Sequence, residues 1–86
     1  MGLFWDDRAW EEYCDWLSKD RRTIKRINAI ITDIQRNPFS GIAKPEPLIG
    51  NLSGWWSRRI DDSNRIVYKK ADDSIIIASC KGHYNE

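Results

Sequence analysis

The chain has 86 residues, with 14 Lys and Arg, 13 Asp and Glu and one His, so its formal net charge is +1. This length predicts one small domain over residues 1–86 with a modest core. No apolar run approaches the ~20 residues of a membrane helix, and the first residues lack the basic and apolar segments of a signal peptide. We therefore expect a cytoplasmic protein without membrane contact.

The charges are distributed unevenly along the chain. The first twenty residues carry six acids and two bases, whereas the remainder carries twelve bases and seven acids. This asymmetry fits an ordinary solvated surface, and it also fits a basic face that binds phosphate or an acidic protein. The two cysteines, Cys14 and Cys80, are far apart, and with one histidine they form no zinc-type ligand set. We expect reduced thiols in or near the core, no metal and no cofactor.

The first half of the chain predicts a short strand and two helices. Residues 3–5 read as the strand, and Asp6 precedes a helix that continues to Lys19. The residues that recur at steps of three and four on its predicted apolar face are Trp10, Tyr13, Cys14 and Leu17. Asp20 is the predicted cap of a second helix, which ends before Pro38. The apolar stripe of that helix is Ile24, Ile27, Ile30, Ile31 and Ile34.

The second half predicts a long loop and three strands. Residues 38–54 hold all three prolines and three of the five glycines, and we expect an ordered loop laid against the sheet. Strands are predicted at residues 55–60, 65–70 and 74–81, separated by polar turns. The resulting α+β fold has the order β-α-α-β-β-β. Its antiparallel sheet needs the two-helix hairpin on one face, because so small a sheet is not stable alone.

Alternation along the strands predicts which side chains share a face. The predicted core-facing residues are Ile66, Tyr68, Ile76, Ala78 and Cys80. The opposite face then gathers Arg65, Lys81 and His83, with Arg58 or Arg59 from the neighbouring strand. Of the adjacent Trp55 and Trp56, one is expected in the core and the other is available to a partner.

These residue types suit RNA cleavage without a metal. A base removes the proton of the 2′-hydroxyl, an acid protonates the 5′-oxygen, and cationic donors stabilise the charge on phosphorus. Glu46, His83 and an arginine supply those roles, and a tryptophan can stack a base. Each residue also has an ordinary interpretation: Glu46 as a solvated loop acid, His83 as a surface histidine, and Arg65 as the ion-pair partner of a nearby aspartate. None of these signals is specific alone.

Several longer segments resemble the YoeB family of bacterial type II toxins, within the RelE/ParE superfamily. They are NPFSGIAKPEPL, NLSGWWSRRI, RIVY and DDSIIIASCKGHY, and the resemblance extends over essentially the whole chain. It implies a RelE/ParE-like, microbial RNase-like fold. It also implies an endoribonuclease that cleaves messenger RNA in the ribosomal A site and inhibits translation. The implied partners are the 70S ribosome with its mRNA, a YefM-type antitoxin, and a second toxin chain in a homodimer or hetero-oligomer.

The same resemblance implies roles for individual residues. Glu46 in KPEPL matches the general base and His83 in GHY the general acid, although the two labels remain exchangeable. Arg65 matches the arginine that stabilises the phosphate, and Tyr84 matches a tyrosine that shapes the site. The predicted RNA-binding residues are Lys44, Arg59, Trp56 and Lys81. The chain departs from the family pattern at Ile49, where a basic residue is expected, and in extending to Asn85 and Glu86.

Two other classes of function remain open. A toxin of the ParE branch shares the fold and binds DNA gyrase without catalysis, but it has no need for the pair Glu46 and His83. A plain binding module would use the basic face only to dock an acidic partner, without cleaving RNA under any condition.

Overall fold

A mixed five-stranded sheet and two helices make up the fold. The structure is a computed structural model that describes residues 1–83. Its elements are β1 (Gly2–Trp5), α1 (Asp7–Lys19), α2 (Arg21–Arg36), β2 (Glu46–Pro47), a 3-10 turn (Gly50–Leu52), β3 (Trp56–Arg59), β4 (Arg65–Ala71) and β5 (Ser74–Ser79). The sheet order is β1-β5-β4-β3-β2, with β1 parallel to β5 and the other neighbours antiparallel. The α+β class and the helical hairpin are confirmed.

Helix α2 begins and ends where the sequence predicts. The Asp20 carboxylate accepts hydrogen bonds from the Thr23 hydroxyl and from the backbone N–H groups of Arg22 and Thr23. These bonds, led by the Thr23 hydroxyl, lower the pKa of Asp20. All five isoleucines of the predicted stripe are buried. No helix within residues 1–83 is long and apolar enough to cross a membrane.

The predicted apolar face of helix α1 is wrong for three of its four residues, and only Tyr13 packs against the core. Trp10 and Leu17 are 50% and 51% exposed, and Cys14 is exposed as well. The face that packs on the sheet carries the fully buried Ala9 and the half-buried Trp16, whose indole N–H donates to the Cys80 carbonyl at 2.9 Å. A small alanine lets the helix approach the sheet closely, so packing distance rather than the apolar stripe orients α1.

Strand β5 corrects the predicted core face. Ile75 and Ile77 are fully buried, whereas Ile76 and Ala78 are only half-buried. Tyr68 of β4 pairs with Ile77 and Val67 pairs with Ser79, so Ala78 is an extra residue in β5. Such a bulge shifts the alternation by one residue. Cys80 therefore faces the core together with Ile77. The prediction was right for Cys80 and wrong for Ile76 and Ala78.

The loop between α2 and β3 is ordered against the sheet, as predicted, but it also contains strand β2. Glu46 pairs with Ser57 and Pro47 with Trp56. The Leu48 N–H donates to the Trp55 carbonyl at 2.9 Å, and the Leu48 side chain is buried. Because β2 lies at the edge of the sheet, its proline can lack an N–H donor without breaking a ladder.

Candidate active site

The face of the sheet turned away from the helices carries the predicted catalytic glutamate. Strand register places Glu46, Ser57, Val67 and Ser79 in one row across four strands. Ser57 and Val67 are buried but lie outside the cluster of side chains that packs on the helices. They form the buried middle of this row, and Glu46 is exposed at its end on the edge strand. We call this surface the helix-free face.

Two arginines lie next to that row. Arg59 of β3 pairs directly with Arg65 of β4, and both are two residues along their strands from the row of Glu46. Like charges directly opposite each other repel unless anions compensate them. The Arg59 guanidinium pairs with the Asp62 carboxylate, and Arg65 Nη1 donates to the carbonyls of Asp61 and Asn64 at 2.6 and 3.1 Å. The two guanidinium groups are of a type that donates forked hydrogen bonds to a phosphate.

His83 reaches the same end of the sheet through the turn between β3 and β4. Its Nε2 atom lies 3.3 Å from the Asp62 carbonyl oxygen and donates to it when protonated at that nitrogen. Gly82, the preceding residue, bonds Asn64 and Arg65 through its backbone N–H and carbonyl at 2.8 and 3.0 Å. The turn therefore connects His83 to both arginines.

A fully buried Arg58 supports the segment that leads to Glu46. Its guanidinium bonds the Asp33 carboxylate at 2.7 Å and the Tyr68 hydroxyl at 3.0 Å. It also donates to the carbonyls of Asn37, Ser40 and Ile42, at 2.8, 3.0 and 2.9 Å. All five N–H donors of the arginine thus have acceptors. Arg58 holds the chain just before β2, so the alternative that placed it on the site face is wrong.

The partners of Arg58 are themselves constrained. The guanidinium and the backbone N–H of Ile42 hold the pKa of Asp33 below its usual value. Burial raises the pKa of Tyr68, whose hydroxyl donates to the Pro38 carbonyl at 2.6 Å. A Cβ on Gly41, at φ +125°, would collide with the Asp33 carboxylate. One sequence signal could have revealed this network: alternation along β3 places Arg58 on the core face, where an arginine is uncommon unless it is paired.

The structure places the other predicted site residues unevenly. Lys44 is exposed next to β2, with left-handed backbone at φ 54°. Lys81 does not join the helix-free face, because its ammonium pairs with Asp15 of α1 at 3.0 Å. Bonds from Lys81 and Lys19 lower the pKa of Asp15. Tyr84 lies outside the described residues.

The two tryptophans take opposite faces, and the choice of Trp56 for RNA contact is wrong in orientation. Trp56 pairs with Tyr68, packs on the core and contacts the Phe39 ring at 5.1 Å. Trp55 lies on the helix-free face, where the Lys69 ammonium sits 4.8 Å from its ring centre. Trp55 therefore shares its face with Glu46 and the arginine pair.

Within residues 1–83, no group of three or more His, Cys, Asp or Glu side chains is arranged to hold a metal ion. The helix-free face carries the Glu46 carboxylate and the arginine pair, and the adjoining turn carries the His83 imidazole. These groups can bind a phosphate and transfer protons beside it.

The fold is shared with a class of small bacterial toxins. The structure matches a YoeB/ParE toxin from Agrobacterium tumefaciens with a TM-score of 0.93 and 38% identity, covering 98% of this chain and 100% of that one. It also matches the toxin of Staphylococcus aureus in a heterotetrameric YoeB–YefM complex, with a TM-score of 0.90 and 41% identity over 98% of both chains. A YoeB dimer from the same organism gives 0.91, 41% and the same coverage.

The sequence narrows the class to one family. Residues 5–84 match the model of the YoeB-like toxin of bacterial type II toxin–antitoxin systems. The Toxin YoeB of Streptomyces coelicolor is 51% identical over 84 residues, which are 98% of this chain and 100% of the relative. The chain therefore belongs to the YoeB-like toxin family.

Proposed function

We propose that this toxin is a ribosome-dependent endoribonuclease that cleaves messenger RNA in the A site and thereby stops translation. The observation that carries the proposal is the register of the helix-free face. It sets Glu46 one row from the pair of Arg59 and Arg65, and the adjoining turn brings His83 to the same end. An acid/base pair on either side of a phosphate-binding arginine is what 2′-hydroxyl attack requires.

In the proposed reaction, Glu46 accepts the proton of the 2′-hydroxyl as the 2′-oxygen attacks phosphorus. The bond from phosphorus to the 5′-oxygen breaks, and His83 donates a proton to that oxygen. The products are a 2′,3′-cyclic phosphate and a 5′-hydroxyl. Arg65 stabilises the charge on the phosphoryl oxygens by forked hydrogen bonds. Tyr84 is assigned to the same site by the family pattern.

The RNA contacts follow from the same face. Arg59 and Lys44 supply positive charge along it, and Trp55 takes the stacking role first given to Trp56. The site is an open sheet face on a small domain. We infer that the ribosome bends the messenger into the reactive geometry, which an open face cannot impose by itself.

The partners are also proposals. The Staphylococcus aureus structures contain a related toxin as a YoeB–YefM complex and as a dimer. We propose that this chain likewise forms dimers and is neutralised in the cytoplasm by a YefM-type antitoxin. An acidic antitoxin segment laid over the arginine pair would block the phosphate site.

The test is a cleavage assay on ribosomes that hold a defined messenger and an empty A site, with the cut mapped by primer extension. Glu46→Gln is compared with Glu11→Gln, which makes the same change at an exposed position of α1. His83→Ala is run beside them. We expect a ribosome-dependent cut in the A-site codon that both site variants lose and Glu11→Gln retains.

The opposite results separate the alternatives. A folded wild-type protein that binds antitoxin but leaves the messenger intact would favour a binding module. Growth inhibition that survives in both site variants would favour a gyrase-binding toxin.

A further inference from the structure

The turn between β3 and β4 is built around the Asp61 carboxylate. Asp61 Oδ1 accepts hydrogen bonds from the backbone N–H groups of Ser63 and Asn64, both at 2.8 Å. The Asn64 side-chain amide also donates to the two carboxylate oxygens, at 3.0 and 3.1 Å. Asn64 is therefore held by its backbone and its side chain at once.

The other end of the Asn64 side chain reaches Gly82. Asn64 Oδ1 accepts the backbone N–H of Gly82 at 2.8 Å. A carboxylate only accepts and a backbone N–H only donates, so the two contacts together set the orientation of the amide. Asn64 thus links the turn to the segment that follows β5.

Gly82 is held on both sides of its backbone. Its N–H bonds the Asn64 side chain, and its carbonyl accepts the backbone N–H of Arg65 at 3.0 Å. The glycine has φ +75°, in the left-handed region that other residues rarely adopt. His83 follows immediately, and only a few backbone and side-chain torsions separate its imidazole from this clamp.

The same turn fixes the phosphate-binding arginine. Arg65 Nη1 donates to the carbonyls of Asp61 and Asn64, at 2.6 and 3.1 Å. The carbonyl of Asp62, in the middle of the turn, lies 3.3 Å from His83 Nε2. The turn between β3 and β4 thereby contacts both Arg65 and His83.

We propose that Asn64 is a positioning residue for His83, acting through the Gly82 backbone. This inference rests on the proposed function, in which His83 donates a proton beside Arg65. Without the Asn64 bond, the Gly82 N–H loses its acceptor among residues 1–83, and the backbone that leads to the imidazole is less constrained. Small displacements of a reacting group reduce turnover strongly while leaving binding intact.

Asn64→Ala removes the side-chain contacts with Asp61 and with Gly82. Ser63→Ala is the matched control, since Ser63 bonds Asp61 through its backbone N–H, which the substitution keeps. We expect Asn64→Ala to lower kcat for ribosome-bound messenger by about 10- to 100-fold with KM nearly unchanged. Ser63→Ala should match wild type.

A second readout needs neither ribosome nor activity. The chain has one histidine, so the imidazole resonances in a nitrogen-15 spectrum belong to His83. In wild type and Ser63→Ala we expect narrow signals with a contact to Asp62, and in Asn64→Ala broadened signals without it. If wild type fails to cleave while this spectral difference appears, the proposed function is wrong but Asn64 still positions His83.

Two results would overturn the inference. One is an Asn64→Ala protein whose kcat and imidazole signals both match those of Ser63→Ala. The other is an Asn64→Ala protein with lowered kcat whose imidazole signals match those of wild type, which would show that Asn64 only caps the turn.

Discussion

Arg58 gives the sharpest test of what holds the loop before Glu46. The perturbation is Arg58→Lys, which keeps the positive charge and most of the side-chain length. A lysine ammonium has three N–H donors where the guanidinium has five, so at least two of the present acceptors lose their hydrogen bond. The affected acceptors are buried or partly buried carbonyls, a tyrosine hydroxyl and a carboxylate.

The magnitude follows from those lost bonds. Each unsatisfied buried polar group costs about 1–3 kcal/mol, and the carbonyls are only partly buried, so two of them lower the free energy of unfolding by about 2 kcal/mol. For a domain of this size the melting temperature should then fall by at least roughly 8 °C. Total stabilities are about 5–15 kcal/mol, so this loss is a large share of the stability but leaves a variant folded enough to measure.

The assay is urea and thermal unfolding followed by circular dichroism. Arg8→Lys is the control, because Arg8 is an exposed arginine that forms a salt bridge with Glu12 one helical turn away. An exposed pair of this kind contributes about 0.5 kcal/mol or less. If the free energies of unfolding of the Arg58→Lys and Arg8→Lys proteins agree within about 0.5 kcal/mol, the five hydrogen bonds of Arg58 do not stabilise the fold and the reasoning is refuted.

Three further predictions concern the same core. The lowered pKa of Asp33 means that its ionised form stabilises the fold above the ordinary value of 3.8, and that this contribution is lost as pH falls through the lowered folded pKa. Asn at position 33 removes this term, so acid unfolding below about pH 4 should show a weaker pH dependence for Asp33→Asn than for wild type; an unchanged slope would contradict the ion pair. Burial raises the pKa of Cys80 to about 12, and the exposed Cys14 lies on the outer side of α1, so a thiol reagent at pH 8 should label one cysteine in the native protein and two after unfolding. A Cys14→Ser protein that still labels rapidly when native would rule out the burial of Cys80. Gly41→Ala should destabilise the protein by more than Gly54→Ala, because both glycines have positive φ but only the Cβ at position 41 meets a neighbour; equal losses in urea unfolding would show that the collision with Asp33 is relieved at no cost.

The sequence was sufficient for the helices and for the residues of the proposed chemistry. The limits of α2 are local, because Asp20 caps the helix with its own side chain and Pro38 ends it. The residues Glu46, Arg65 and His83 were singled out by chemical type and by the resemblance to the YoeB family. The structure sets Glu46 and Arg65 on one face and His83 at the adjoining turn, while their catalytic roles stay predictions.

Face assignments failed wherever a single residue changed the alternation or the packing distance. The bulge at Ala78 exchanged the buried and half-buried isoleucines of β5, and α1 packs through the buried Ala9 and leaves Trp10 half-exposed. A period-2 or period-3.6 pattern assumes an uninterrupted element, and neither the bulge nor the helix–sheet distance is encoded in that period.

The amino-acid sequence by itself determined the order of the elements other than β2, the helix ends, the turn residues and the family, because these depend on local chemistry or on long matching segments. Only the tertiary structure decided that Glu46 lies on an edge strand, that Arg58 is buried, and that Trp55 rather than Trp56 shares a face with the arginines. Each of these depends on hydrogen bonds and packing between residues distant in the chain. The Arg58 network joins α2, the following loop and two strands, and its acceptors come together only when the whole sheet has formed.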